Sequence, residues 1–123
     1  MDGLHFILDA KNVVTGHDVL TDENLLSDFI VELCNRVGLT PLDEKPHIYK
    51  LEAPPDSHFV DGYTGVFVLK ESHITFHTFS EVAGFALDIF SCKKFLQGDA
   101  LKFIDETFGR ESDFIVVSFE RKL

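Results

Sequence analysis

The sequence predicts an α+β fold, a two-layer sandwich of one mostly antiparallel sheet with two helices on one face. Three observations carry this. Leu25, Leu26, Phe29, Ile30, Leu33 and Val37 recur at helical steps and form one apolar stripe. Leu101, Ile104 and Phe108 repeat that spacing near the C-terminus. Around them lie short runs rich in β-branched and aromatic residues, bounded by turn residues, as strands are. The order is close to β-α-β-β-β-β-α-β, which favours an antiparallel sheet with its helices segregated to one side.

Residues 3–10 are mostly apolar and fit a first strand. His5 and Asp9 interrupt it four apart, so they share a face, read here as polar groups pointing outward at a sheet edge. Residues 11–20 contain Thr15-Gly16 and read as a loop. The first helix is expected to start near Thr21 as N-cap, with Asp22 and Glu23 in the first turn, where the helix dipole favours them. Gly38 suits its C-terminal end. Cys34 lies beside the apolar stripe and reads as a small buried hydrophobe.

Residues 46–51 are expected to form a strand, and residues 53–62 a turn-rich loop carrying Pro54-Pro55-Asp56-Ser57 and Asp61-Gly62. Three apolar runs follow, at residues 66–69, 74–79 and 85–90, with a polar turn at Lys70-Glu71-Ser72-His73. Asp99 is expected to cap a second helix that runs to Phe108 and stops at Gly109. Residues 113–121 close the chain as a strand. Phe67, Phe76, Phe79, Phe85 and Phe90 are many aromatics for one stretch, which suggests that part of the uncovered sheet face is buried between two copies of the chain.

At 123 residues the chain suits one domain, residues 1–123, able to bury a core unaided. Hydrophobic residues make up 45% and charged residues 26%, as in soluble globular proteins. The net charge of −10 argues against nucleic acid, which needs clustered Lys and Arg. No apolar run is long enough for a membrane helix, and the N-terminus lacks the pattern of a signal peptide. Two cysteines, Cys34 and Cys92, are too few for a disulfide scaffold and fit a reducing, cytoplasmic setting.

The chemistry is concentrated in residues 63–92. A hydroxyl (Ser72), two imidazoles (His73, His77) and a thiol (Cys92) are carried by adjacent expected strands, which lie about 5 Å apart. Taken alone, Ser72 reads as a turn residue and Asp88 as a solvent-facing acid. His73 and His77, four apart, could be two metal ligands. They lack a clear third partner other than Cys92, and no metal is expected.

The ordered set Thr64-Gly65-Val66, Glu71-Ser72-His73, His77-Thr78, Glu81 and Ala86-Leu87-Asp88-Ile89-Phe90-Ser91-Cys92 resembles the prokaryotic S-adenosylmethionine decarboxylase proenzymes. The resemblance covers about thirty residues strongly and implies an enzyme that makes its own electron sink. The Ser72 hydroxyl would attack the Glu71 carbonyl to form an ester. β-Elimination would then split the chain into residues 1–71 and 72–123. Loss of ammonia would leave a covalent pyruvoyl group where Ser72 stood. Thr64, where the family usually has Ser, and His77 would assist this cleavage. Simple alternation puts Ser72 and His77 on opposite strand faces, although a turn position frees Ser72 from that rule.

In decarboxylation the substrate amine would form a Schiff base with the pyruvoyl carbonyl, and Cys92 would return a proton to the α-carbon. The resemblance further assigns Glu81 to the ribose hydroxyls. It assigns Asp9, a shorter acid than the usual Glu, to the substrate site, and Tyr49 or Phe59 to stacking on adenine. It also implies a homodimer. The implied function is conversion of S-adenosylmethionine to its decarboxylated form and carbon dioxide for spermidine synthesis. Three departures keep a pyruvoyl-dependent decarboxylase of arginine or ornithine as the alternative: Phe79-Ser80 in place of Trp-Pro, Lys70 before Glu71, and the longer loop at 53–62. A non-enzymatic homologue is the third reading, and retention of Ser72, His77 and Cys92 together argues against it.

Overall fold

A computed structural model of the chain describes residues 1–58 and 61–123. Its elements are β1 (Asp2–Lys11), α1 (His17–Thr21), α2 (Glu23–Val37), β2 (His47–Leu51), β3 (Gly62–Leu69), β4 (Ser72–Phe79), β5 (Gly84–Ser91), α3 (Gln97–Phe108) and β6 (Asp113–Lys122), with a short 3-10 turn at Ser80–Val82. The six strands form one sheet in the order β2-β3-β4-β5-β1-β6, every neighbour antiparallel. This is the expected α+β sandwich.

The helices differ in detail from the expectation, for local reasons. The loop expected at 11–20 holds α1, entered through Gly16 at φ 73. A Cβ at that position would meet the Thr107 carbonyl oxygen at 2.6 Å, so glycine is required. Thr21 is the last residue of α1, its hydroxyl donating back to the His17 carbonyl, and so lacks the extended backbone of an N-cap for α2. Asp22 takes that role, its carboxylate accepting from the Asn24 and Leu25 N–H groups. The C-terminal end at Gly38 is as expected, at φ 79, with its N–H bonded to the Asn35 carbonyl. α3 starts at Gln97 rather than after Asp99, because the Leu96 carbonyl already accepts from the Asp99 and Ala100 N–H groups.

The core lies between the helices and one sheet face. Phe29 of α2 packs edge-on against Phe76, stacks on Phe103 at 5.0 Å and meets Phe108. Phe108 of α3 lies on Phe85, which stacks on Phe76 at 4.7 Å. Of the five aromatics read as candidates for an uncovered face, Phe67, Phe76 and Phe85 are therefore core residues, fully buried on the helix side. Only Phe79 and Phe90 share the other face, because alternation from Ile74 and Phe76 leaves positions 73, 75, 77 and 79 there.

That other face carries no helix among the described residues. It presents Val68, Ile115, Val117 and Phe119, all more than a third exposed. β1 runs between β5 and β6, so His5 and Asp9 lie in the interior of this open face and not at a sheet edge. The register aligns Tyr49, Thr64, His77, Ala86, Asp9 and Ile115 in one row across it.

Candidate active site

The β3–β4 connection is tighter than the sequence suggests. Only Lys70 and Glu71 lie outside the strands; Ser72 pairs with Leu69 on one side and Ser91 on the other. Ser72 is thus a strand residue and not a turn residue. Its φ is 151°, a conformation that costs a non-glycine residue about 1–3 kcal/mol and persists only where its surroundings hold it there.

The surroundings do hold it. The Cys92 N–H donates to the Glu71 carbonyl at 2.8 Å. The Glu71 carboxylate accepts from the Thr40 N–H and the Thr40 hydroxyl, each at 2.9 Å, and lies 3.4 Å from the Lys93 ammonium. Burial raises the Glu71 pKa, but the hydrogen bonds, those from Thr40 foremost, outweigh it and hold the carboxyl below its ordinary value. The Ser91 hydroxyl accepts from the Lys93 N–H at 3.0 Å, which fixes the backbone that carries both Cys92 and Lys93.

Thr64 and His77 face each other across the β3–β4 ladder. The Thr64 hydroxyl and His77 Nδ1 share a 2.8 Å hydrogen bond whose donor is set by the imidazole tautomer. The His77 ring also packs edge-on against Phe79, with centroids 4.7 Å apart. His77, Phe79 and Glu81 line a cavity of about 380 Å³ with Leu51, Glu52 and His58, within the size range of small-molecule sites. Glu81 and Phe79 also line a second cavity, of about 340 Å³, together with Asp9. A ligand filling both would have a carboxylate at the shared wall and another at the far side.

The structure brings Glu71, Ser72 and Cys92 together, and separately Thr64, His77, Glu81 and Asp9. It does not join the two groups within one chain. Five residues of β4 separate Ser72 from His77, about 16 Å at the usual strand rise, and His77 belongs to the open face while Ser72 is in phase with the core positions. Tyr49 is 63% exposed beside Thr64 and lines neither cavity, and Phe59 lies outside the described residues. His73 contacts Phe90, and Asp88 lies 3.4 Å from His5 rather than facing only solvent. Among the described residues no group of three or more His, Cys, Asp or Glu could hold a metal. Among the described residues no helix is long and apolar enough to cross a membrane.

Cys34 is fully buried, its thiol donating to the Leu39 carbonyl. Burial, with the Glu71 carboxylate adding to it, pushes that thiol up to about 11. Thr40, Lys93 and His58 escaped the sequence reading. No local pattern marks them; Thr40 reaches Glu71 across 31 positions of sequence.

A family model described as S-adenosylmethionine decarboxylase matches residues 4–122. The S-adenosylmethionine decarboxylase proenzyme of Acidithiobacillus ferrooxidans is 30% identical over 92 residues, 73% of this chain and 62% of that protein. The proenzyme of Prochlorococcus marinus is 33% identical, over 75% of this chain and 65% of its own length. The proenzyme of Thermodesulfovibrio yellowstonii is 26% identical, over 86% and 71%. The matches thus span somewhat under two thirds of the first of these relatives. In fold the chain is similar to the crystal structure of the adenosylmethionine decarboxylase from Aquifex aeolicus VF5, with a TM-score of 0.72 and 23% identity over 98% of this chain and 91% of that one.

Proposed function

Because the chain belongs to the S-adenosylmethionine decarboxylase family, we propose that it is a proenzyme that cuts itself between Glu71 and Ser72 and then decarboxylates S-adenosylmethionine. One observation carries the reading. The Glu71–Ser72 peptide combines an adjacent hydroxyl, a strained Ser72 and a backbone N–H already bonded to the carbonyl to be attacked.

Attack of Ser72 Oγ on the Glu71 carbonyl carbon develops negative charge on the oxygen that Cys92 N–H meets, which lowers that barrier. Collapse breaks the C–N bond, moves the acyl group to oxygen and frees the Ser72 amine. Removal of the Ser72 α-proton then expels the Glu71 carboxylate, leaving residues 1–71 and a dehydroalanine at position 72. Water replaces its nitrogen, and ammonia departs. The residues present fit the resulting pyruvoyl group: Ser72, whose hydroxyl would generate it, and Cys92, whose N–H meets the Glu71 carbonyl, belong to one strand junction. That group supplies the carbonyl which takes up the electrons of decarboxylation. Cys92 holds the proton for the α-carbon, and Glu81 accepts from the ribose hydroxyls in the cavity it shares with His77.

His77 and Thr64 are the base and its orienting partner. Their distance from Ser72 is bridged by a homodimer. Two open faces packed about a two-fold axis lying between the groups bring His77 of one copy to the β3–β4 end of the other, where the Glu71–Ser72 peptide is approached at its backbone although Ser72 is in phase with the core positions. The exposed Val68, Ile115, Val117 and Phe119 are the apolar surface for that packing, and the setting is cytoplasmic, where Cys34 and Cys92 stay unpaired.

The test is a denaturing intact mass of the purified protein beside Ser72→Ala, followed by incubation with S-adenosylmethionine, arginine or ornithine. Two fragments meeting at Glu71 and Ser72, absent in the variant, with depletion of S-adenosylmethionine alone, are expected. A single uncut chain, stable over days, refutes the proenzyme reading. Depletion of arginine or ornithine instead moves the substrate to a basic amino acid.

A further inference from the structure

We infer that Thr40 and Lys93 are positioning residues of the self-cleavage: they grip the Glu71 side chain so that its carbonyl and the Ser72 backbone stay in the reactive arrangement. The inference rests on the reading of Ser72 as the cleaving nucleophile and deepens it by naming what holds the scissile bond.

A two-residue connection is ordinarily the softest part of a hairpin. This one is tied down on three sides. Thr40 meets both carboxylate oxygens of Glu71, one through its N–H and the other through its hydroxyl. The Thr40 carbonyl accepts from the Lys70 N–H at 2.9 Å, and the Leu42 N–H donates to the Val68 carbonyl, so the segment after α2 runs as an extra rung beside the end of β3. From the other side, Lys93 approaches the same carboxylate, one residue beyond the Cys92 N–H that holds the carbonyl. Glu71 is thereby fixed at its side chain and its main chain at once.

A backbone at φ 151 persists only where its neighbours over-determine it. Glu71 is the immediate neighbour, and its carboxylate is the handle by which α2's trailing segment and the β5 trailing segment act on Ser72. Release of that handle lets residues 70–72 relax, which lengthens the Cys92 contact and moves Ser72 Oγ off the carbonyl carbon. The same grip explains a charged residue only 12% exposed at a hairpin tip, where a solvated side chain is the usual choice. After cleavage Glu71 is the last residue of the 1–71 chain, and the grip keeps that new end docked beside position 72.

The experiment follows cleavage in time, by denaturing gel and intact mass, for the full chain and for Thr40→Val, Thr40→Ser and Lys93→Met. Thr40→Val keeps the shape and the N–H but removes the hydroxyl donor to a charged acceptor. It is expected to slow cleavage about tenfold or more. Thr40→Ser restores the donor and is expected to cleave at close to the unmodified rate, which a merely space-filling Thr40 would not require. Lys93→Met, lacking a longer and more exposed contact, is expected to slow cleavage a fewfold, about two to five. Wild-type rates in all three variants overturn the inference and leave the proenzyme reading intact. Equal slowing in Thr40→Val and Thr40→Ser also overturns it, since the hydroxyl is then not what matters. An uncut full chain removes both readings together.

Discussion

Cys92 holds Glu71 by its backbone and not by its thiol: the N–H meets the Glu71 carbonyl at 2.8 Å, one rung beyond the Ser72–Ser91 pair. The β4–β5 ladder is thus carried past the last strand residue and into the Glu71–Ser72 peptide. A backbone donor costs no side-chain entropy and is already aimed when the reaction begins. The residue expected to return a proton during decarboxylation therefore has a separate earlier role that any side chain at that position would preserve.

Cys92→Ala separates the two roles. The N–H remains, so cleavage is expected to proceed within a fewfold of the unmodified rate, while decarboxylation by the cut protein falls about a hundredfold or more with its proton donor gone. Paired gel and carbon dioxide release assays read both. Loss of cleavage itself in Cys92→Ala would assign the thiol, not the N–H, to the first reaction.

Strain at Ser72 has a thermodynamic signature. Ser72→Ala and Ser72→Gly both lack the hydroxyl and stay uncut, so their stabilities compare like with like. Glycine ordinarily costs roughly 0.5–1 kcal/mol against alanine through its flexible unfolded state. At φ 151 the alanine Cβ carries a penalty of about 1–3 kcal/mol that glycine escapes. Ser72→Gly is therefore expected to be the more stable by roughly 1 kcal/mol in urea unfolding. The opposite order would mean that the backbone relaxes freely at this position.

Much of this was legible before the structure. The helix stripes, the strand runs and the α+β class follow from spacing, because one buried face forces a period of 3.6 or 2 on the residues that make it. Cys34 as a buried hydrophobe was equally plain from its place beside the stripe. The starts of α2 and α3 were not, since Thr21 and Asp99 are good caps in isolation and only the presence of α1 and of the Leu96 carbonyl decides against them. The sharing of aromatics between core and open face depends on which of two strand phases faces the helices. Thr40 was invisible because its partner lies 31 residues away, a contact that the folded sheet alone creates. Alternation did raise the separation of Ser72 and His77, and the structure upholds it, because Ser72 joins β4 rather than the turn.

That separation makes a sharp test of the two-copy site. Ser72→Ala lacks the proposed nucleophile and His77→Ala the proposed base, and each alone is expected to stay essentially uncut. Co-expressed, a mixed dimer joins Ser72 of the His77→Ala copy to His77 of the Ser72→Ala copy. The His77→Ala chain alone is then expected to be cut, visible by tagging the two chains differently. Val117→Asp on the exposed open face is expected to shift the protein to monomer in light scattering and to abolish this rescue, because a charge there cannot be buried unpaired. Absence of rescue with dimers still formed would return both groups to a single chain.

The grip on Glu71 sets a pH dependence whose sign is fixed. The folded carboxyl titrates below its ordinary value of 4.5, since the Thr40 bonds and Lys93 outweigh the effect of burial. Below that ordinary value the unfolded chain takes up a proton that the folded chain refuses, so stability falls as pH drops through the folded pKa and is fully present above 4.5. Measured in the uncut Ser72→Ala chain, the urea midpoint is expected to drop as pH falls below 4.5 and through the folded pKa. Adding Thr40→Val removes one of the bonds that depress the carboxyl and is expected to shrink that drop. Surface carboxylates such as Glu120, also held low by its pairing with Lys94, contribute equally to both chains and cancel in the difference. Superimposable pH curves for the two chains would show that the Thr40 hydroxyl does not hold the Glu71 carboxylate, and the grip on the scissile bond would then have to come from Lys93 and the Thr40 backbone alone.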